Sequence, residues 1–269
     1  MKLFKILLAV LLVVVTVLYG FSAVRTAMSG EKIGPIITCN SELLEVSVSD
    51  GPEALLAGVS ASDPQDGDLT ERVRVLGISK FTAPGEAKIT YVVFDSHNNM
   101  KTATRQLRYM DYRSPRFAIT EPLIYPQNAN IALLDRMLVT DDLDGDITNS
   151  VRVSLMKVTS DPEVYTVDVQ VTNSLGDTAQ LTLPVICRQN TLNRADVKLS
   201  SYLLYLDAGS SFDPRSYLTA VATPDGYGFM KDVEITSLVD TDVPGTYMVF
   251  YMYRDENCSG SSILTVVVQ

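Results

Sequence analysis

Apolar and polar residues alternate with a two-residue period through much of the chain. Val167, Val169 and Val171 alternate with Asp168 and Gln170, and Leu181, Leu183 and Val185 repeat the pattern, as do Val73 and Val75 between arginines. That period places one face inward and predicts half-buried strands. Tyr247 to Tyr253 and Ile263 to Val268 are apolar on both faces, which predicts central strands. Pro84-Gly85 and Pro244-Gly245 suit the two central positions of a type II turn, where Pro fixes φ and Gly tolerates a positive one. The segments 95–99, 173–177 and 255–257 read as hairpin loops joining the last two strands of each set. No segment beyond the N-terminus carries a helical stripe.

The strand pattern repeats. Asp66-Gly67-Asp68-Leu69-Thr70 recurs as Asp144-Gly145-Asp146-Ile147-Thr148, 78 residues later. Pro84 recurs at Pro162, and Tyr91 to Asp95 at Val169 to Asn173, with the same offset. A third copy follows: Pro84-Gly85 matches Pro244-Gly245 and Tyr91 to Asp95 matches Tyr251 to Asp255, 160 residues on. A constant spacing of several features argues for duplication. The predicted fold is all-β, three tandem immunoglobulin-like antiparallel sandwiches over residues 34–110, 111–189 and 195–269. Residues 111–115 and 188–194 are short linkers, so a semi-rigid rod is expected.

Ahead of these lies an uncharged run from Ile6 to Val24 behind Lys2 and Lys5. Its 19 residues, if helical, give about 28 Å, close to a bilayer core of about 30 Å. Residues 1–27 therefore read as a transmembrane signal-anchor, or as a signal peptide cleaved near Gly20-Phe21-Ser22 or Arg25-Thr26-Ala27. Met28 to Gly34 reads as a stalk. Either way the domains are exported, as a single-pass membrane protein or a secreted one.

The order Asp-x-x-Asp-Gly-Asp-Leu/Ile-Thr, Val-x-Val, Pro-Gly-x-Tyr and Tyr-x-x-x-Asp, then a polar loop and a Thr-x-x-Val strand, resembles one bacterial family. This is the immunoglobulin-like repeat of Gram-positive surface proteins, found also in pesticidal crystal proteins and related to hyalin-type repeats. The first copy carries it as Asp63 to Thr70, Pro84-Gly85 and Tyr91 to Asp95. The second has Asp161-Pro162 in place of Pro-Gly, and the third lacks the acidic loop. The resemblance implies an immunoglobulin-like sandwich with an extracellular, non-catalytic role in adhesion, spacing or scaffolding. It implies no ligand.

Composition narrows the chemistry. The 269 residues carry 22 basic and 32 acidic side chains, one His, no Trp and three Cys. Because the first thirty residues hold Lys2, Lys5 and Arg25 and no acid, the rest stands at −13. Such a body lacks the cations that neutralise phosphates, so no nucleic-acid partner is expected. Cys39, Cys187 and Cys258 are far apart and odd in number, which suits neither a disulfide framework nor zinc. The one His, His97, lies in a predicted hairpin loop beside Asn98 and Asn99 and reads as a solvated loop residue rather than a triad member, and the chain is not read as an enzyme.

The acidic loops are the candidate metal ligands: Asp63, Asp66 and Asp68 in the first copy, Asp141, Asp142, Asp144 and Asp146 in the second. Clustered carboxylates can supply several of the six to eight oxygens calcium takes. The topology should bring Asp95 to the first cluster and Asn173 and Asp177 to the second, with Asp111 able to join the latter. Turn formation by Asp and Gly is the simpler reading, and no cofactor other than possible calcium is expected. The expected partners are the membrane through the N-terminal helix, and an extracellular protein or glycan. The alternative function is a carbohydrate-binding surface protein, with Tyr247, Tyr251 and Tyr253 on one strand face as its candidate platform.

Overall fold

The computed structural model describes residues 11–22, 34–127, 129–188 and 193–269. The sequence readings at Lys2, Lys5, Arg25-Thr26-Ala27, most of the stalk and most of the second linker lie outside them. By its internal contacts the chain divides into two compact units. The first comprises Met1–Leu44, Gly51–Gly77 and Ile89–Gln106, and the second comprises Glu45–Asp50, Ile78–Lys88 and Leu107–Gln269.

The strands fall into a recurring order. The first set is β1 (Ile36–Cys39), β2 (Leu43–Val46), β3 (Val59–Asp63), β4 (Gly67–Asp68), β5 (Arg74–Ile78), β6 (Glu86–Phe94) and β7 (Met100–Tyr109). The second is β8 (Arg116–Ile119), β9 (Ile124–Pro126), β10 (Met137–Asp141), β11 (Gly145–Asp146), β12 (Arg152–Val153), β13 (Lys157–Val158), β14 (Val164–Thr172) and β15 (Thr178–Arg188). The third is β16 (Asp196–Leu199), β17 (Leu203–Leu206), β18 (Leu218–Thr223), β19 (Gly226–Tyr227), β20 (Glu234–Ser237), β21 (Gly245–Arg254) and β22 (Ser259–Val268). Each set forms a three-stranded sheet (β1-β3-β4, β8-β10-β11, β16-β18-β19) and a larger one (β2-β7-β6-β5, β9-β15-β14-β12 with β13 also on β14, β17-β22-β21-β20). The central strands β21 and β22 are the two read as apolar on both faces. The sheets are not wholly antiparallel, because β9 runs parallel to β15 and β17 parallel to β22.

In the first unit Val59, Ala61, Leu69, Val73, Ile89, Tyr91 and Val93 are buried. Tyr91 keeps its ring in this core by sending its hydroxyl to Leu55 O at 2.8 Å while accepting from Arg105 Nε at 2.8 Å. Arg105 is itself buried and gives a further hydrogen bond to Ala57 O, so its charge is held by oxygens rather than by an acid. In the second unit one core joins Phe117, Val139, Val167, Leu183 and Val185, with Leu203 of the third set packed into it. Another gathers Val221, Val249, Tyr251, Leu264 and Val266. The alternation in the sequence is thus the alternation of these faces.

Two sequence expectations need correction. Gly85 has φ +77 in a turn closed by Glu86 N to Ala83 O, as the Pro-Gly reading requires, but Gly245 has no positive φ and opens β21. The single-pass membrane reading is also overturned. Among the described residues no helix is long and apolar enough to cross a membrane. The helix described over residues 11–22 carries exposed side chains.

Candidate functional site

The two acidic loops are built alike. Asp63 ends β3, and its Oδ1 accepts from Gln65 N at 2.8 Å and Asp66 N at 3.0 Å. Asp141 ends β10 and does the same with Leu143 N and Asp144 N at 2.9 and 3.0 Å. Gly67 and Gly145, at φ +76 and +71, turn the chain back into β4 and β11. Asp66 then clamps the neighbouring hairpin, accepting from Ser96 N at 2.5 Å and Ser96 Oγ at 2.7 Å. Asp144 clamps Ser174 N and Oγ at the same two distances. Asp68 accepts from Thr70 N at 2.9 Å, while Asp146 accepts from Thr148 N at 2.9 Å and Thr148 Oγ1 at 2.6 Å.

These donors set the charge state. The Ser96 hydroxyl and amide hold the Asp66 carboxyl below the usual range, and Thr70 and Thr148 do so for Asp68 and Asp146. Burial alone would raise Asp95, but hydrogen bonds from Asn99 and from His97 N outweigh it, so its carboxyl also lies low.

The loops differ in what lies over the end of the strand. In the second, Asn173 Nδ2 donates to Asp141 Oδ2 at 3.0 Å and to the Tyr112 hydroxyl at 2.8 Å. Tyr112 in turn donates to Asp177 Oδ2 at 2.8 Å, with Asp141 Oδ2 at 3.3 Å. Burial, followed by these two carboxylates, pushes the phenol well above its ordinary value. The Tyr112 ring packs edge-on to Phe81 at 4.9 Å. Phe81 N donates to Leu175 O, Lys80 Nζ to Ser174 O and Arg113 N to Asp142 Oδ2. All of these lie within the second unit. Asp111 does not join them: its carboxylate accepts from Ser47 Oγ at 2.6 Å and Val48 N at 2.8 Å, just past the end of β2.

In the first loop Asp95 stands where Asn173 stands in the second. Both accept the amide four residues on through Oδ1, Asp95 from Asn99 N and Asn173 from Asp177 N. The 78-residue offset that relates the loops sets Gly34 against Tyr112. With neither the carboxamide nor the phenol, Asp63 Oδ2 is buried without a hydrogen-bond partner.

Among the described residues no group of three or more His, Cys, Asp or Glu side chains is arranged to hold a metal ion. His97 is exposed in the first hairpin loop, with Nδ1 3.2 Å from the Ser96 Oγ that donates to Asp66 Oδ1. All three cysteines are free.

The tyrosine stripe is not a platform. Tyr251 and Tyr253 are buried, and Tyr247 is half-buried with its hydroxyl on Val243 O, because their strand face points into the core. The exposed aromatics lie elsewhere, in the third copy's counterpart of the acidic loop. Gly228 packs flat on Tyr253, leaving a Cβ only 2.7 Å from its ring. By alternation Tyr227 and Phe229 then face outward, 87% and 68% exposed, with Lys231 Nζ 5.3 Å from the Phe229 ring.

The sequence missed Tyr112, which it read as linker. The signal for the Ser96 and Ser174 clamps was present, since the two serines share the repeat offset. The exposed aromatic pair left no signal beyond the loss of the acidic motif.

No protein-family model matches the chain, and no curated protein matches it. Among solved structures it is similar to the M60 catalytic domain with its CBM51 domains from Clostridium perfringens ZmpB (11% identity, TM-score 0.25, 87% of this chain and 30% of that one). It is also similar to CBM51-2 in complex with GlcNAc, with INT domains, from the same protein (14%, TM-score 0.24, 87% and 42%). A third is the protocadherin GammaB4 extracellular domain (11%, TM-score 0.22, 89% and 52%). The chain thus spans about a third to a half of the length of these structures, and at these identities and TM-scores none of them assigns it a family.

Proposed function

We propose that this is an exported, non-catalytic protein of three immunoglobulin-like modules that spaces or presents surfaces for adhesion. The observation that carries the reading is the Tyr112 joint. A residue in the predicted linker is hydrogen-bonded to Asp177 and Asn173 and packed on Phe81, and the chain on either side is fixed to Asp142, Ser47 and Val48. The carboxylates of Asp66, Asp144 and Asp142 each hold a backbone amide. A joint of this kind transmits position, which is what a spacer needs, and leaves no desolvated acid–base pair for turnover.

The test is to immobilise the full chain and present cell-wall polysaccharides, glycans and surface proteins, measuring retention and product release together. Retention without product is expected. Release of a hydrolysed product that scales with protein concentration would refute the non-catalytic reading.

A second reading, a carbohydrate-binding surface protein, is favoured by Tyr227 and Phe229. Two outward rings two residues apart offer flat faces to the C–H side of a sugar ring. Loss of glycan retention in Tyr227→Ala and Phe229→Ala would support it.

A further inference from the structure

We propose that the first acidic loop is a calcium site, formed by Asp63 Oδ2 and the Asp95 carboxylate, and that the second loop has replaced the ion with protein donors. The two copies of this loop differ at one oxygen. Asp63 and Asp141 have the same Oδ1 partners, so their Oδ2 atoms hold the same place. In the second copy that Oδ2 receives a carboxamide N–H at 3.0 Å and faces a phenol. In the first copy the residue at the carboxamide's place is a second carboxylate, and glycine stands against the phenol.

Asp63 and Asp95 are 5% and 6% exposed, and Asp63 Oδ2 has no partner. Asp66 adds a third negative charge beside Asp95. Among the described residues none of the three aspartates forms an ion pair. Arg72 lies near Asp66, and the exposed His97 imidazole lies near Asp95.

A buried carboxylate oxygen without a donor, in a loop whose counterpart oxygen receives a carboxamide N–H, requires a positive partner or a proton. The backbone and Asn99 donors on Asp95 favour its ionised form, which favours a cation over a proton. Hard oxygen donors on an irregular loop suit calcium rather than a softer or strictly octahedral ion. Two carboxylates define the site rather than a closed cage of three or more, so water completes the shell. The affinity belongs with extracellular modules, at a Kd of about 10⁻⁴ to 10⁻³ M.

The test is isothermal titration of calcium chloride into the full chain, wild type, Asp95→Asn and Asp142→Asn. Asp95→Asn recreates the second copy's carboxylate–carboxamide pair, with Asn99 turning its own amide to accept, so the variant should fold. One site in the wild type, weakened at least tenfold in Asp95→Asn and unchanged in Asp142→Asn, is the expected result. Urea unfolding without calcium should show Asp95→Asn at least as stable as wild type, since it removes the unpaired carboxylate. Absence of binding up to 10 mM calcium, roughly ten times the weaker affinity expected here, would overturn the proposal. So would binding that survives Asp95→Asn or is lost in Asp142→Asn. A stability that depends on pH through the Asp63–Asp95 pair, with no response to calcium, would mean a shared proton in its place.

Discussion

Replacing Tyr112 by Phe removes one oxygen and leaves the ring against Phe81. The lost hydroxyl donates to Asp177 Oδ2 and accepts from Asn173 Nδ2, both at 2.8 Å. Asn173 keeps Asp141 Oδ2 as its acceptor at 3.0 Å, so it is not orphaned. The cost is therefore the hydrogen bond to a carboxylate, about 1.5–3 kcal/mol in general. Asp177 is half-buried and regains some water, which takes the expected loss to or below the low end of that range, about 1–2 kcal/mol. At roughly 2–4 °C per kcal/mol for a unit of this size, the melting temperature of the second unit falls by about 2–8 °C. Tyr112→Ala also removes the ring contact and should cost about 1.5–3 kcal/mol more. The assay is urea and thermal unfolding of full-length protein followed by circular dichroism. If Tyr112→Phe melted within 1 °C of wild type, roughly a quarter of a kcal/mol, while Tyr112→Ala did not, the hydroxyl would contribute nothing and the joint would rest on ring packing alone.

Other consequences are equally open to measurement. Tyr91→Phe leaves the buried Arg105 Nε without its acceptor and should cost about 2–3 kcal/mol in urea unfolding, against a few tenths for Tyr227→Phe at an exposed site. Gly228→Ala drives a Cβ to within 2.7 Å of the Tyr253 ring and 2.9 Å of Val221 Cγ1, so a loss of about 1–3 kcal/mol is expected by the same method. Acid should weaken the fold through the clamping aspartates. The folded-state carboxyls of Asp66, Asp68 and Asp146 lie below their unfolded values, and Asp255 is held at about 2 by Cys258 N and Asn257 N. Their contribution is complete above the ordinary carboxylate range and is lost as pH falls from about 4 toward about 2. Urea midpoints at pH 7, 4 and 3 should therefore drop mainly in the last interval, and a flat profile would contradict the assignment.

Much of the architecture could be read from the sequence because sheet alternation and turn chemistry are local. The inward faces of β14 and β15 follow directly from their two-residue periods, and the central place of β21 and β22 from their apolar residues on both faces. The turn at Gly85 follows from Pro-Gly, and the recurring loops follow from the constant offset. What escaped was set by tertiary partners. Tyr112 looks like any linker residue until Asp177 and Asn173 are folded beside it. Tyr251 and Tyr253 share a face whether that face points to solvent or core, and only the sheet above it decides. Asp111 could have joined the second loop, where the chain enters the domain, yet Ser47 Oγ and Val48 N hold its carboxylate instead. The N-terminal run was read from its apolar length, whereas crossing a bilayer needs a helix of sufficient length, and none is present among the described residues.

The central claim is that the linker at Asp111–Pro115 is a bonded joint. Amide hydrogen exchange on the full chain tests it most directly. The account predicts that the Arg113 amide, donated to Asp142 Oδ2, and the Phe81 amide, donated to Leu175 O, exchange as slowly as the flanking strands, and that Tyr112→Phe speeds both. Exchange of these amides in wild type at the rate of an unstructured peptide would contradict it.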